Sequence, residues 1–328
     1  MLKTKLLVVG IALGCAGLNY GAGFVETFDT NPSLNGWGYY GNSNLFQWNS
    51  AEKNLNVTWD SSNPNSYFFK PIGATLTAQH RFSFGFDLYL TNVLVGTTPG
   101  KPFTFQLAIG LINFTNATSP NFFRGTGADS PNLFEFDYFP DSGFGATISP
   151  TIISISNEFA TSFNFPLELT TNALFRINMD YDPALGKLTT LITSNGAPFS
   201  PITDVLIGAN FAGFFVDTFA ICVYTDEGQD PMWSGSITAK GTVDNIAFYW
   251  THPAAPQLAG KNNRQQGEYQ VSFESQPMWW YTLERSEDLK NWIPVLPPMP
   301  GTGTTMTLSD QSPTFERAFY RVKAEKLQ

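Results

Sequence analysis

Every second position of the run 81–90 is large and apolar: Phe82, Phe84, Phe86, Leu88 and Leu90, with Ser83, Gly85, Asp87 and Tyr89 between them. A period of two gathers those five side chains on one face of an extended strand but scatters them around a helix, so the stretch predicts a half-buried β-strand. The run 103–111 repeats the pattern with Phe103, Phe105, Leu107, Ile109 and Leu111. Shorter strand signals, punctuated by Asn, Ser, Gly and Pro, continue from Phe24 to Trp250, and none of the intervening stretches has the apolar period of a helix. Many short strands without helices predict an all-β chain built on a two-sheet antiparallel jelly-roll sandwich. The first strand, from Phe24, is expected beside Val243 to Trp250. Asn195-Gly196 predicts a two-residue hairpin turn, since both residues accept positive φ.

The two ends of the chain carry different signals. The 328 residues open with Met1-Leu2-Lys3-Thr4-Lys5, an apolar run over 6–16, and small residues at Gly21 and Gly23. A basic start, a short apolar core and small residues before the cut predict a secretory signal peptide over 1–23 and a secreted or cell-surface protein. The run is too short for a membrane span. In a rival reading Cys15 becomes the lipidated first residue of a lipoprotein. Cleavage after Gly23 removes Lys3 and Lys5 and no acid, which moves the formal charge from −9 to −11. It also leaves Cys222, in an apolar run, as the one thiol, so an unpaired, buried cysteine is expected. So acidic a chain, without a basic cluster, has nothing to set against phosphates, and nucleic acid is excluded as a partner. Near the other end, His252-Pro253-Ala254-Ala255-Pro256 and the polar residues after it break the composition. They predict a linker at 251–266 between a sandwich at 24–250 and a small β domain at 267–328.

Charged residues are only 14% of the chain, below the usual ~25%, so acids placed on a strand need a reason. The segment Leu133-Phe134-Glu135-Phe136-Asp137-Tyr138-Phe139-Pro140-Asp141 holds two. Alternation sends Phe134, Phe136 and Tyr138 to one face and Glu135 and Asp137 to the other. A metal ion, a sugar, a catalytic pair or plain solvent would each account for them.

Three stretches resemble the concanavalin A-like jelly-roll superfamily of lectins, laminin G-like modules and glucanases. They are Phe134 to Asp137, the hairpin Asn178-Met179-Asp180-Tyr181-Asp182-Pro183-Ala184-Leu185-Gly186-Lys187-Leu188, and the closing Gly241-Thr242-Val243-Asp244-Asn245-Ile246. Glucanases of this kind carry Glu-x-Asp-x-Glu, whose two glutamates work in opposite roles. Glu135 and Asp137 match, but Phe139 and Pro140 stand where the acid/base should be, so no catalytic residues are expected; an enzyme of this class would have to use Glu135 and Asp137. In the lectins the same strand holds metals. The resemblance then implies Ca²⁺ on Glu135, Asp137, the carbonyl of Phe139 and Asp141, with Asp226, Glu227 and Asp230 as an accessory acidic loop. Residues 265–328 resemble a fibronectin type III-like module of exported bacterial proteins, through Tyr281-Thr282-Leu283-Glu284-Arg285-Ser286, Trp292 and Ala318-Phe319-Tyr320-Arg321-Val322. That resemblance implies an Ig/fibronectin III-like β domain.

Sugar recognition needs flat aromatic rings beside polar partners. Trp37, Tyr39, Trp48 and Trp59 lie in or next to loops and are the expected ligand-binding aromatics, with Arg124 and Asp129 shaping a rim. Arg124 and Asp129 would equally make a surface ion pair. His80 and His252 are expected at the surface. The reading that joins these expectations is an exported, non-catalytic lectin-like protein for a glycan or cell-surface polysaccharide, assisted by calcium. A jelly-roll glycoside hydrolase or lyase, and a structural or adhesive surface protein, are the alternatives.

Overall fold

The alternating Phe run becomes the strand Arg81–Val95, and its five apolar residues at 82, 84, 86, 88 and 90 are all buried. A computed structural model describes residues 22–125, 130–208, 210–251, 261–265, 268–275, 279–302, 304–311 and 318–326, with backbone only at 261–265 and 326. The chain divides into two units, at 1–253 and 254–328.

In the first unit Arg81–Val95 is flanked by Leu174–Asp182 and Ile237–Thr251 in a nine-stranded sheet. The opening strand Ala22–Glu26 lies antiparallel against the end of Ile237–Thr251, from Ala22 opposite Trp250 to Glu26 opposite Ile246. At the far edge, Asn195 (φ 50°) and Gly196 (φ 84°) form the expected hairpin, with Ser194 opposite Ala197. The second sheet has seven strands, ordered Phe159–Thr161, Thr147–Ile153, Leu133–Phe139, Leu107–Ile112, Phe215–Val223, Ser66–Thr77 and Gly38–Tyr40. All its pairings are antiparallel. The sheets face each other through aromatic rings: Phe82 meets Phe134 at 4.7 Å, Phe84 meets Phe219 at 5.6 Å and Phe86 meets Phe136 at 5.8 Å. Edge-on ring contacts at these spacings are favoured by the aromatic quadrupole and fill the interior that the alternation called for. The result is the two-sheet jelly-roll sandwich.

Three expectations change. The run 103–111 is not one strand: pairing begins at Leu107, and Phe103 falls outside it, 49% exposed and bridged in parallel to Gly235. All six residues of Leu107–Ile112 are buried, so this part of the sheet is covered on both faces. His80 is buried rather than surface; its Nδ1 accepts from the Thr77 N–H at 3.1 Å, and its ring lies 5.8 Å from Trp250. His252 lies outside the described residues, as do positions 1–21 of the expected signal peptide and most of the expected linker. Part of that linker, Lys261–Gln265, is an edge strand paired with Glu268–Glu274. Its polar sequence imitates a linker in composition.

The second unit holds a three-stranded sheet, Lys261–Gln265, Glu268–Glu274 and Thr305–Asp310, and a four-stranded sheet centred on Trp279–Ser286. Phe273, Tyr281, Leu283, Met306 and Leu308 form its buried centre.

Candidate functional site

The strand Leu133–Phe139 lies between Leu107–Ile112 and Thr147–Ile153. Its aromatic face points into the sandwich, and the backbone N–H of Leu169 donates to the Tyr138 hydroxyl oxygen at 3.1 Å. The acidic face does not meet water. Glu135 is 0% and Asp137 1% exposed. Opposite them stand Gly110 and Ala108, and beyond those Ala220 and Cys222, so the neighbouring strands leave room above the acids. No side chain fits at 110, because a Cβ there would stand 2.3 Å from the Phe134 carbonyl oxygen.

Arg124 fills that room. Its Nη2 donates to Asp137 Oδ2 at 2.7 Å, and its Nε stands 3.3 Å from Glu135 Oε2, close enough for an ion pair but not aligned as a hydrogen bond. Its guanidinium carbon lies 5.7 Å from the centre of the Tyr224 ring, and the Tyr224 hydroxyl donates to Glu135 Oε1. Ser149 and Thr151 stand opposite Asp137 and Glu135 on the neighbouring strand. The arginine is itself 4% exposed.

The segment that carries Arg124 is tied down along its length. Asp217 accepts from the Phe114 N–H at 3.0 Å at the start of the short helix Phe114–Ala117. The Tyr67 hydroxyl donates to the Ala117 carbonyl at 2.9 Å, and Asn65 Nδ2 to the Phe122 carbonyl at 2.8 Å. Asn132 Nδ2 reaches Asn116 Oδ1 at 2.8 Å. The loop after Tyr224 presses on it from outside: a Cβ at Gly228 would stand 2.6 Å from the Phe123 ring, and one at Gly125 2.7 Å from Gln229. A shallow hollow of about 80 Å³, lined by Asn116, Ser119, Asn121, Phe122 and Pro131, opens on this cover.

The electrostatics follow from one cation facing two acids away from water. Burial pushes Glu135 up to about 7, against the pull of Arg124 and with a further push from Asp137. Burial raises Asp137 as well, while Arg124 and Thr151 oppose it. Burial would lower the Arg124 guanidinium, but Asp137 and Glu135 hold it charged and above its ordinary value. Burial also drives the thiol of Cys222 far up, which makes it inert. A single guanidinium compensates a single carboxylate charge. Asp137, with the shorter contact, is the ionised partner, and Glu135 keeps its proton towards neutrality.

This donor set does not fit the calcium site that the resemblance implied. The place a cation would take between Glu135 and Asp137 holds Arg124. Asp141 is exposed on a left-handed turn (φ 52°), off the end of the strand. Nor does the accessory loop converge: Asp226 is buried and takes Lys101 Nζ at 2.5 Å, Thr98 Oγ1 at 2.8 Å and Ser61 Oγ at 3.0 Å, whereas Glu227 and Asp230 are exposed. Among the described residues no group of three or more His, Cys, Asp or Glu could hold a metal ion.

The expected ligand-binding residues are not brought together. Trp37 is core, stacked on Phe68 at 4.7 Å, and Trp59 is fully buried. Trp48 is half-buried and donates its Nε1–H to the Phe28 carbonyl at 3.0 Å. Tyr39 is 43% exposed, and Asp129 lies outside the described residues. Sequence reasoning paired Arg124 with Asp129 and missed its place between the strand acids. It also missed Tyr224 and the Lys101–Asp226 latch. The available signal was that two acids on an otherwise apolar and aromatic strand, beside the all-apolar run 107–112, require a cation.

No family model and no curated protein sequence matches the chain. Solved structures do resemble it. One is the Lotus tetragonolobus seed lectin, at 12% identity and TM-score 0.44, covering 70% of this chain and 98% of that one. Another is the Bacillus licheniformis beta-glucanase, at 11% identity and TM-score 0.44, covering 71% and 99%. A third is the marine PL-14 alginate lyase from Aplysia kurodai, at 9% identity and TM-score 0.44, covering 69% and 98%. Likenesses this distant assign no role to any residue of this chain.

Proposed function

We propose that the sandwich is a non-catalytic carbohydrate-binding module of an exported protein. The observation that carries the reading is the closure of the Glu135–Asp137 pair by Arg124 in a jelly roll that still keeps aromatic rings in solvent. Hydrolysis of a glycosidic bond requires both carboxyls to flank the substrate. Here the pair is covered by 113–125 and spends its charge on a fixed guanidinium, so the acid face works as structure. Recognition then falls to the exposed aromatics and to the Asn, Ser and Thr side chains of the surface. In this proposal the second unit is a fibronectin type III-like spacer, and calcium has no part.

A glycan array probed with the whole mature chain tests the reading. Binding to at least one glycan, unchanged by EDTA, is the expected result, and a blank array with and without calcium would remove it. One observation favours the enzyme alternative: a glutamate lifted to about 7 beside a second carboxylate is how a general acid is tuned. Reducing-sugar release that disappears in Glu135→Gln would establish that alternative; no release from either protein is expected.

A further inference from the structure

We infer that the binding surface of this module is the aromatic pair Phe103–Trp233 and that its ligand is a neutral polysaccharide, an inference that rests on the carbohydrate-binding reading. Trp233 is 58% exposed and Phe103 49%, with ring centroids 6.2 Å apart and planes inclined at 43°. Neither ring is among the side chains packed against the sandwich core. Leaving two such rings in water costs solubility, and on a firmly built scaffold it marks a recognition surface.

The scaffold here is firm. The Phe103 N–H donates to the Ser234 carbonyl, and the Ser236 N–H to the Phe103 carbonyl at 2.8 Å, so the two loops are zipped together on either side of Gly235. A Cβ at Gly235 would stand 1.8 Å from the Thr104 carbonyl oxygen; only glycine lets the loops approach closely enough to set the rings side by side. The Trp233 N–H and the Ser234 hydroxyl both donate to the Asp230 carbonyl, at 3.0 and 2.9 Å. Gln229 spans the turn, donating to the Asp226 and Gly235 carbonyls at 2.8 Å and accepting from the Gly235 N–H at 3.0 Å. Asp226 in turn is latched to Lys101, two residues before Phe103. The pair is therefore preorganised, which lowers the entropy cost of binding.

Two inclined rings at this spacing offer stacking faces to the apolar C–H surfaces of two successive pyranose units in a twisted chain. The polar rim is acidic. The exposed carboxylate of Asp230 accepts from the Met232 N–H through Oδ1, and its Oδ2, with no hydrogen bond among the described residues, can take a sugar hydroxyl. Glu227 is exposed nearby in the same loop. Carboxylates here, on a chain of strongly negative net charge, repel uronate and sulfated chains and accept neutral hydroxyls.

Affinity electrophoresis of the whole mature protein in gels containing a neutral β-glucan, xylan, mannan or galactan, or alginate or pectate, tests this. The variants are Trp233→Ala, Phe103→Ala and, as a control at an exposed non-aromatic residue elsewhere on the sandwich, Leu185→Ala. Retardation by at least one neutral polysaccharide is expected, weakened on the order of tenfold in Trp233→Ala and Phe103→Ala and unchanged in Leu185→Ala, with the melting temperature of both platform variants held. Retardation that survives both platform changes would overturn the site while leaving carbohydrate binding standing. Retardation by the acidic chains alone would overturn the ligand class. No retardation by any polysaccharide would overturn both the site and the reading beneath it, and self-association of the wild type that is lost in Trp233→Ala would assign the rings to a protein interface instead.

Discussion

The sandwich uses one arrangement twice, in opposite surroundings. On Leu133–Phe139, Glu135 and Asp137 stand two residues apart and share Arg124; on Leu174–Asp182, Asp180 and Asp182 stand two residues apart and share Arg81. The distances are alike, 2.7 and 3.3 Å in the first trio and 2.9 and 2.8 Å in the second. Water is the difference. The side chains of the first trio are at most 5% exposed, whereas those of the second run from 20% to 36%. In the wet trio solvent screens each charge, and the geometry adds little beyond what hydration already gives. In the dry trio each charge depends on its partners, and losing one leaves the others stranded. The same acid-x-acid spelling therefore names a surface ornament on one strand and a structural keystone on another.

The sharpest way to break this comparison is to remove each arginine. Arg124→Met is expected to cost about 3–5 kcal/mol, on the order of 10 °C in melting temperature, while Arg81→Met costs about 1 kcal/mol or less. Equal losses in thermal or urea unfolding would show that burial does not separate the trios. Replacing the whole dry trio as Arg124→Met, Glu135→Met and Asp137→Leu should recover most of the loss from the single change, because no stranded charge remains.

Acidity sharpens the contrast next. The folded protein holds the Glu135 proton more tightly than the unfolded chain does, with its value moved from 4.5 up to about 7. The stability linked to this group is thus full below pH 4.5 and is lost as pH rises through 7. Wild type should lose up to roughly 3 kcal/mol across that window relative to Glu135→Gln. Urea titrations at several pH values measure it. The smallest expected effect is none: EDTA or added Ca²⁺ should leave the melting temperature where it is, since the cation of the dry trio is Arg124. A rise of several degrees with Ca²⁺ would return a metal to the acid strand.

Much of the frame was legible in the sequence. Phe82, Phe84 and Phe86 declared their strand by period alone, and Asn195-Gly196 declared its turn by backbone tolerance. The site was less legible, for a physical reason. Alternation states which side chains share a face but not what lies over that face. The cover on Glu135 and Asp137 comes from Arg124, thirteen residues before Asp137 and across a loop, and from Tyr224, 89 residues beyond Glu135. Phe103 kept the spelling of a strand but left the register, because Gly235 offered its backbone a different partner. Trp37 and Trp59 looked like loop aromatics because short strands with Asn and Ser turns leave little apolar pattern around them. Their burial reflects sheet packing that no local window contains.

The place of Arg81–Val95 between Leu174–Asp182 and Ile237–Thr251 also sets an order of events in time. A chain emerging N-terminus first makes this Phe-rich strand long before either neighbour exists, and the opening strand Ala22–Glu26 waits for the same late segment. Pairings so distant in sequence form slowly, and an alternating apolar strand with open edges invites pairing with other chains in the interval. The run that declares the fold is thus its main aggregation hazard until about the 250th residue has been made, and expression yield should be governed by how well that interval is shielded.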